Sequence, residues 1–217
     1  MSEIIQLEIY TDGACPNNGT PEAQGGFGMV APHPFLVDGW AKQHYPWGEL
    51  LRERYGEPTN QKCELMAVIF TVRGFAEEVL DNPEHDFWDE EGQAKLNIRV
   101  YSDSMYVVQG VNTWMHNWKR NGWKNSKKRP ISNMKMWQDL DNMLAFEHLR
   151  GVFSFVHVPG HSGDTGNDLA DMQAKEGAMK ASLGKSINRE HWDEFVAFAE
   201  GDYSAEVITE GAIYDFK

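Results

Sequence analysis

The sequence predicts an α/β domain, a five-stranded mixed sheet flanked by helices. Three observations carry that reading. The stretches "EIIQLEIYTD", "GGFGMVAPH" and 37–47 come before any long helical pattern, so three strands open the chain. Helix and strand patterns then alternate, the order that adds parallel strands through helical crossovers. Two of the strands run into acids, in "YTDG" and "YSDS". In open α/β sheets, ligands collect outside such carboxyl ends.

Each element has its own signal. Ile5, Leu7 and Ile9 alternate as in a half-buried strand, and glycines from Gly25 set up a turn before the second strand. A third strand spans Val37 to Trp47, and "LLRERYGEP" is a charged insertion without an assigned form. From Thr59, a helix places Leu65, Ile69, Val72, Phe75 and Val79 at helical spacing. An acidic loop at 81–93, broken by Pro83 and Gly92, leads to the strand "LNIRVYSD". "SMYVVQGVNTWMHNW" is a helix expected to bend at Gly110, and "KRNGWKNSKKRPISN" is a turn-rich basic segment. After the helix "MKMWQDLDNMLAF", the strand "GVFSFVHVPG" is crowded with apolar residues, as in a buried sheet. "GNDLADMQAKEGAMKAS" is a helix with alanine at 170, 174, 178 and 181, a small face suited to close packing on the sheet. "REHWDEFVAFAE" gathers Trp192, Phe195, Val196 and Ala199 on one side. Residues 1–184 therefore read as the main domain. Residues 185–217 read as an extension, a helix packed on the body and a loose acidic end.

Composition excludes several classes. Hydrophobic residues at 41% and aromatics at 12% fit a folded domain rather than a disordered chain. No run of eighteen apolar residues is present, so a membrane span is not expected. Cys15 and Cys63 are too few for a disulfide framework or a thiolate metal cage, and a cytoplasmic location is the expectation. The net charge of -13 argues against nucleic acid, but its distribution reverses that inference. From Ser104 to Gln138 there is no Asp or Glu, while Lys119, Arg120, Lys124, Lys127, Lys128, Arg129 and Lys135 all fall there. That is a local basic patch on an acidic body.

Four acids stand in unusual settings. Asp12 and Asp103 end strands, Glu64 opens the helix in "TNQKCELMA", and Asp171 lies one turn into the helix beginning near Gly166. Any one alone reads as a cap, a dipole partner or a solvated carboxylate. Four at element ends on one side of a sheet point elsewhere. Converging carboxylates repel unless protonated or bridged by cations. Oxygen donors suit Mg²⁺ or Mn²⁺, and a pair of such ions can clamp a phosphodiester. By spacing alone, Asp168 competes with Asp171.

Together, "YTDGAC", "TNQKCELMA", "YSDSMYVVQG", "WMHNWKRNGWKNSKKRP" and "VPGHSGDTGNDLADMQA" resemble the type 1 ribonucleases H of bacteria, over most of 5–181, with insertions near 32–57 and 82–95. The resemblance implies a ribonuclease H-like fold with a basic helical handle. It implies a monomeric endonuclease that cuts the RNA strand of RNA–DNA hybrids with two metal ions, leaving 5′-phosphate and 3′-hydroxyl ends with little sequence preference. The catalytic carboxylates would be Asp12, Glu64, Asp103 and Asp171, the last selected through Asn167, itself a substrate-binding position. His161 matches a loop histidine that handles protons, and imidazole titrates near neutral pH. Asn18, Asn60 and Gln61 match positions that sense 2′-hydroxyls, and Asn also favours turns and caps in its own right. Trp114, Trp118, Lys119, Arg120, Trp123 and Lys124 would carry the DNA strand. Trp118 and Lys119 are the favoured contacts there, and Trp114 is divided between core and surface. Two departures stand out: "PNNGTPEAQGG" replaces the usual glycine- and proline-rich stretch, and Met105 stands where many bacterial members have glutamine. Rival readings are a DNA-cutting nuclease of the same wider fold, a non-catalytic hybrid-binding module and a generic acidic α/β protein. The first should lack the basic handle and paired amides, and the second should lack one of the four acids.

Overall fold

The computed structural model describes residues 4–33, 36–81, 95–146, 149 and 151–201. Most of the expected acidic loop, at 82–94, and the expected loose end beyond Gly201 lie outside these residues.

The sheet has the order β3-β2-β1-β4-β5. β1 (Ile5–Ala14) pairs antiparallel with β2 (Gly26–Pro32), and β2 pairs antiparallel with β3 (Trp40–Pro46). On its other side, β1 pairs in parallel with β4 (Leu96–Ser102), which pairs in parallel with β5 (Phe153–His157). β3 begins three residues later than expected, because Asp38 accepts a hydrogen bond from the Trp40 amide in the turn ahead of it. β1 continues past Asp12 to Ala14, since Asp12 still pairs with Gly28. β5 is shorter than its apolar run, and its first four residues are half-buried rather than enclosed, with His157 exposed.

Two helices cover opposite faces. α2 (Asn60–Asp81) lies on one and α6 (Thr165–Ser182) on the other. Alternate strand residues face opposite ways, so Phe27 meets Phe70 of α2 while its neighbours Gly26 and Gly28 meet α6. A Cβ on Gly26 would lie 1.9 Å from the Ala178 nitrogen. The alanine and glycine face of α6 therefore packs backbone to backbone on β2, as the small-residue pattern predicts.

α5 (Met134–Ala145) packs beside α2 and buries Met136, Trp137, Leu140 and Met143. Between β4 and α5, α3 (Met105–Gln109) and α4 (Met115–Arg120) are joined by a π-helical turn, Gly110–Trp114. The bend expected at Gly110 is this turn. A Cβ there would sit 2.1 Å from the Trp137 ring, so glycine lets the turn lie against α5. The insertion after β3 is a helix, α1 (Glu49–Tyr55), with Leu50 and Leu51 buried. Its Arg54 reaches both oxygens of buried Asp139 at 3.2 Å, and the Tyr55 hydroxyl donates to the same carboxylate at 2.6 Å. Lys135 adds a further contact at 3.1 Å, so the buried charge is fully partnered. α7 (Arg189–Ala199) enters the main core with Trp192, Phe195 and Phe198 buried. Phe195 stacks on Phe70 at 5.1 Å, and the Asn142 amide donates to the Ala199 carbonyl at 3.0 Å. Among the described residues, no helix is long and apolar enough to cross a membrane.

Candidate active site

At the carboxyl ends of β1 and β4, a cavity of about 360 Å³ opens toward the N-terminal parts of α2 and α6. Asp12, Glu64, Asp103 and Asp171 all line it. Gly13 explains why the first two meet. A Cβ there would lie 2.1 Å from the Glu64 backbone nitrogen. Only glycine lets β1 press against the α2 backbone and set Asp12 beside Glu64. Thr11 fixes the other side, its hydroxyl donating to the Tyr101 carbonyl at 3.1 Å and locking β1 to β4 just before Asp103.

One oxygen from each of Asp12, Glu64 and Asp103 lies within 4.8 Å of the others. Asp12 and Glu64 are buried, and Asp103 is half-buried. Burial pushes the Asp12 carboxyl up to about 7, with the Asp103 charge adding to the rise and the hydrogen bond from its neighbouring Gly13 amide opposing it. Burial also raises Glu64 well above the ordinary carboxylate range, followed by the charge of Asp12. One Glu64 oxygen accepts weakly from the Asn60 amide at 3.4 Å, while the other, Oε2, is buried without a hydrogen-bond partner. Crowded carboxylates with an unsatisfied buried oxygen fit a hard divalent cation held by oxygen donors.

The fourth acid differs. Asp171 is half-buried, and its carboxylate is bound by Lys175 at 2.6 Å. Asp168, its rival by spacing, also lines the cavity but is exposed in the first turn of α6. Asn167 lies in the cavity wall, nearly enclosed, with its carbonyl oxygen unpartnered. His161 lines the rim, exposed, on a residue with φ of 53°. Its loop lies over Asp103, since a Cβ on Gly160 would fall 2.8 Å from the Asp103 Oδ2. Asn60 lines the cavity, whereas Asn18 and Gln61 do not. Lys175 had only a weak sequence signal, its place four residues after Asp171.

The aromatic and basic residues form a separate surface. Lys119, Arg120 and Lys124 are exposed, and Lys119 pairs with Asp141 at 2.8 Å. Trp114, Trp118 and Trp123 are half-buried rather than free. Trp118, favoured for binding, packs edge-on against Trp137 at 5.3 Å and leans on Trp114 at 5.7 Å. The tryptophans thus support the handle as well as facing outward. A larger cavity, about 490 Å³, opens near the start of β1, away from the acids, with Leu7, Met29 and Phe75 in its wall.

Comparison with known proteins places this arrangement. Residues 5–179 match the family described as RNase H. The chain belongs to the ribonuclease H family. It is 35% identical over 187 residues to the ribonuclease H of Bradyrhizobium diazoefficiens, covering 86% of this chain and 99% of that one. It is 38% identical over 177 residues to the enzyme of Stutzerimonas stutzeri, covering 81% and 93% respectively. Among solved structures, a type 1 RNase H with the type 2 active-site motif superposes with a TM-score of 0.58 at 22% identity, over 99% of this chain and 92% of that one. The foamy viral protease–reverse transcriptase, solved with an RNA/DNA hybrid, gives 0.56 at 23% identity, over 80% of this chain and 20% of that one. These two support the fold. The family membership makes this ribonuclease H relative a nuclease, and the rival of a generic acidic α/β protein falls away.

Proposed function

We propose that the chain cuts the RNA strand of RNA–DNA hybrids by metal-dependent hydrolysis, leaving 5′-phosphate and 3′-hydroxyl ends. The observation that carries this is the convergence of Asp12, Glu64 and Asp103 within 4.8 Å, in a chain of this family. With Asp171 opposite, they would hold two dications, Mg²⁺ or Mn²⁺ in its place. Such a pair supplies an activated water and a stabilised leaving oxygen. The chain does the rest. Asn60, on the cavity wall beside Glu64, is placed to test a 2′-hydroxyl, because its amide both donates and accepts. Gln61 and Asn18, outside the cavity, would contact the duplex farther along its minor groove. His161, exposed on the rim over Asp103, would carry protons to and from the reacting oxygens. Lys119, Arg120 and Lys124, with the outer faces of Trp114, Trp118 and Trp123, would track the DNA strand through its phosphates and sugars. Such contacts read no bases, so little sequence preference follows. All four carboxylates come from one chain, and the proposed active unit is the monomer.

Labelled hybrid, RNA duplex and DNA duplex, incubated with magnesium and with EDTA, test the proposal. Cleavage confined to the RNA of the hybrid and abolished by EDTA is the expected result. Equal cutting of the DNA duplex would reject hybrid specificity in favour of the DNA-cutting rival.

A further inference from the structure

The four acids are not equivalent. Among the described residues, the ion pair of Asp171 with Lys175 is the one salt bridge that any of them makes. Asp12, Glu64 and Asp103 crowd together with no salt bridge among the described residues, whereas Asp171 carries its own. Both partners sit on α6 four residues apart, acid first, the favourable order for a helical pair. Among the described residues, Asp171 is the one group that anchors Lys175, whose side chain is 63% exposed. It also lines the cavity, where its ammonium faces the Asp12 charge across the site. A cationic side chain therefore already occupies the Asp171 carboxylate that a second dication would use.

We propose that Lys175 is the resident counter-cation of Asp171, and that a dication must displace it, so that Lys175 sets how much metal the site requires. This rests on the metal-dependent reading above. Lys175 touches no reacting atom in this role and is a positioning residue acting through Asp171. The geometry fits displacement rather than permanent occupancy. An exposed pair is weak, and a lysine on a flexible four-carbon stem swings into solvent at little cost. A dication binds the freed carboxylate with twice the charge. Competition of this strength weakens the second metal site by about twofold. It leaves the first site, built on the three buried or half-buried acids, nearly untouched.

Manganese titrated calorimetrically into the full chain tests this, with Lys175→Met and Lys175→Arg beside the parent. Methionine keeps the length and loses the charge, and arginine restores it. The expected result is a weaker-site affinity about twofold tighter in Lys175→Met, parent-like in Lys175→Arg, and little change at the tighter site. Half-saturating magnesium for hybrid cleavage should fall in parallel. Identical manganese isotherms for the parent and Lys175→Met would overturn the proposal. So would an unchanged metal affinity with a raised KM for hybrid, which would put the lysine on a phosphate. Absence of manganese uptake by the parent would instead remove the metal-dependent reading beneath it.

Discussion

Asp12 shows how a single carboxyl couples stability to metal. Its folded pKa, near 7, stands above the ordinary 3.8 because burial and the Asp103 charge penalise its ionised form. Between those values, the folded state holds more protons than the unfolded state. Dications bind the ionised carboxylates, so magnesium should stabilise strongly at high pH and little at low pH. Thermal melts in EDTA and in excess magnesium, at about pH 5 and about pH 8, are expected to show that pattern. Asp12→Asn removes the penalty. The metal-free variant should gain about 2 kcal/mol at pH 8, roughly 4–8 °C in Tm, while losing more than about 100-fold in cleavage. A metal-free variant no more stable than the parent would mean that Asp12 is not strained by its neighbours. The acids themselves were legible in sequence because their type and place carry the chemistry. Lys175 was legible only as sharing a helical face with Asp171, a spacing that any exposed helical ion pair also shows.

The handle is the element in which surface and core are hardest to separate. Trp114 and Trp118 are four residues apart on one helical face, and that face meets Trp137 and Tyr106. The spacing announces a stripe without saying which way it points, so the sequence could not divide packing from binding. α1 was missed for a related reason. At seven residues it is too short to show a period, and its Arg54 reads as solvated until Asp139 is seen beside it. The handle's charges remain exposed, and they carry its prediction. Replacing Lys119, Arg120 and Lys124 by alanine should weaken hybrid binding and flatten its salt dependence. Each phosphate contact contributes about 0.9 to the slope of log affinity against log salt. Lys119 is already shared with Asp141, so the triple variant should lose about 2 rather than the full value for three contacts. Affinity measured across a salt series decides it. An unchanged slope would mean that these cations do not touch phosphate.

Across the whole chain, the central β1 strand brings the acids together, and a helix far along the sequence completes the core on which they stand. The strand order follows from the element order, because a three-strand meander and two helical crossovers leave few other arrangements. What the sequence pattern understated is how deeply α7 is built in. An amphipathic stretch near a terminus looks the same whether it rests on a finished domain or fills one. Here Trp192 stacks on Phe195, Phe195 on Phe70, and Phe198 meets Phe146, so that α7 joins α2 and α5 in one apolar cluster. Buried Arg73 of α2 lies over the Phe198 ring at 5.5 Å and would be left against water if α7 were removed. Burying three aromatic side chains contributes roughly 5–9 kcal/mol at the usual 1.5–3 kcal/mol each, as much as the net stability of many domains. A chain ending at Gly184 is therefore expected to be insoluble or to melt far below the parent, despite retaining every residue of the active site. Phe195→Ala gives the graded version: a loss of about 3–5 kcal/mol, a fall of roughly 10 °C or more in Tm, and cleavage preserved at temperatures where the variant remains folded. A chain ending at Gly184 that melts within a few degrees of the parent would mean that the catalytic core closes without α7.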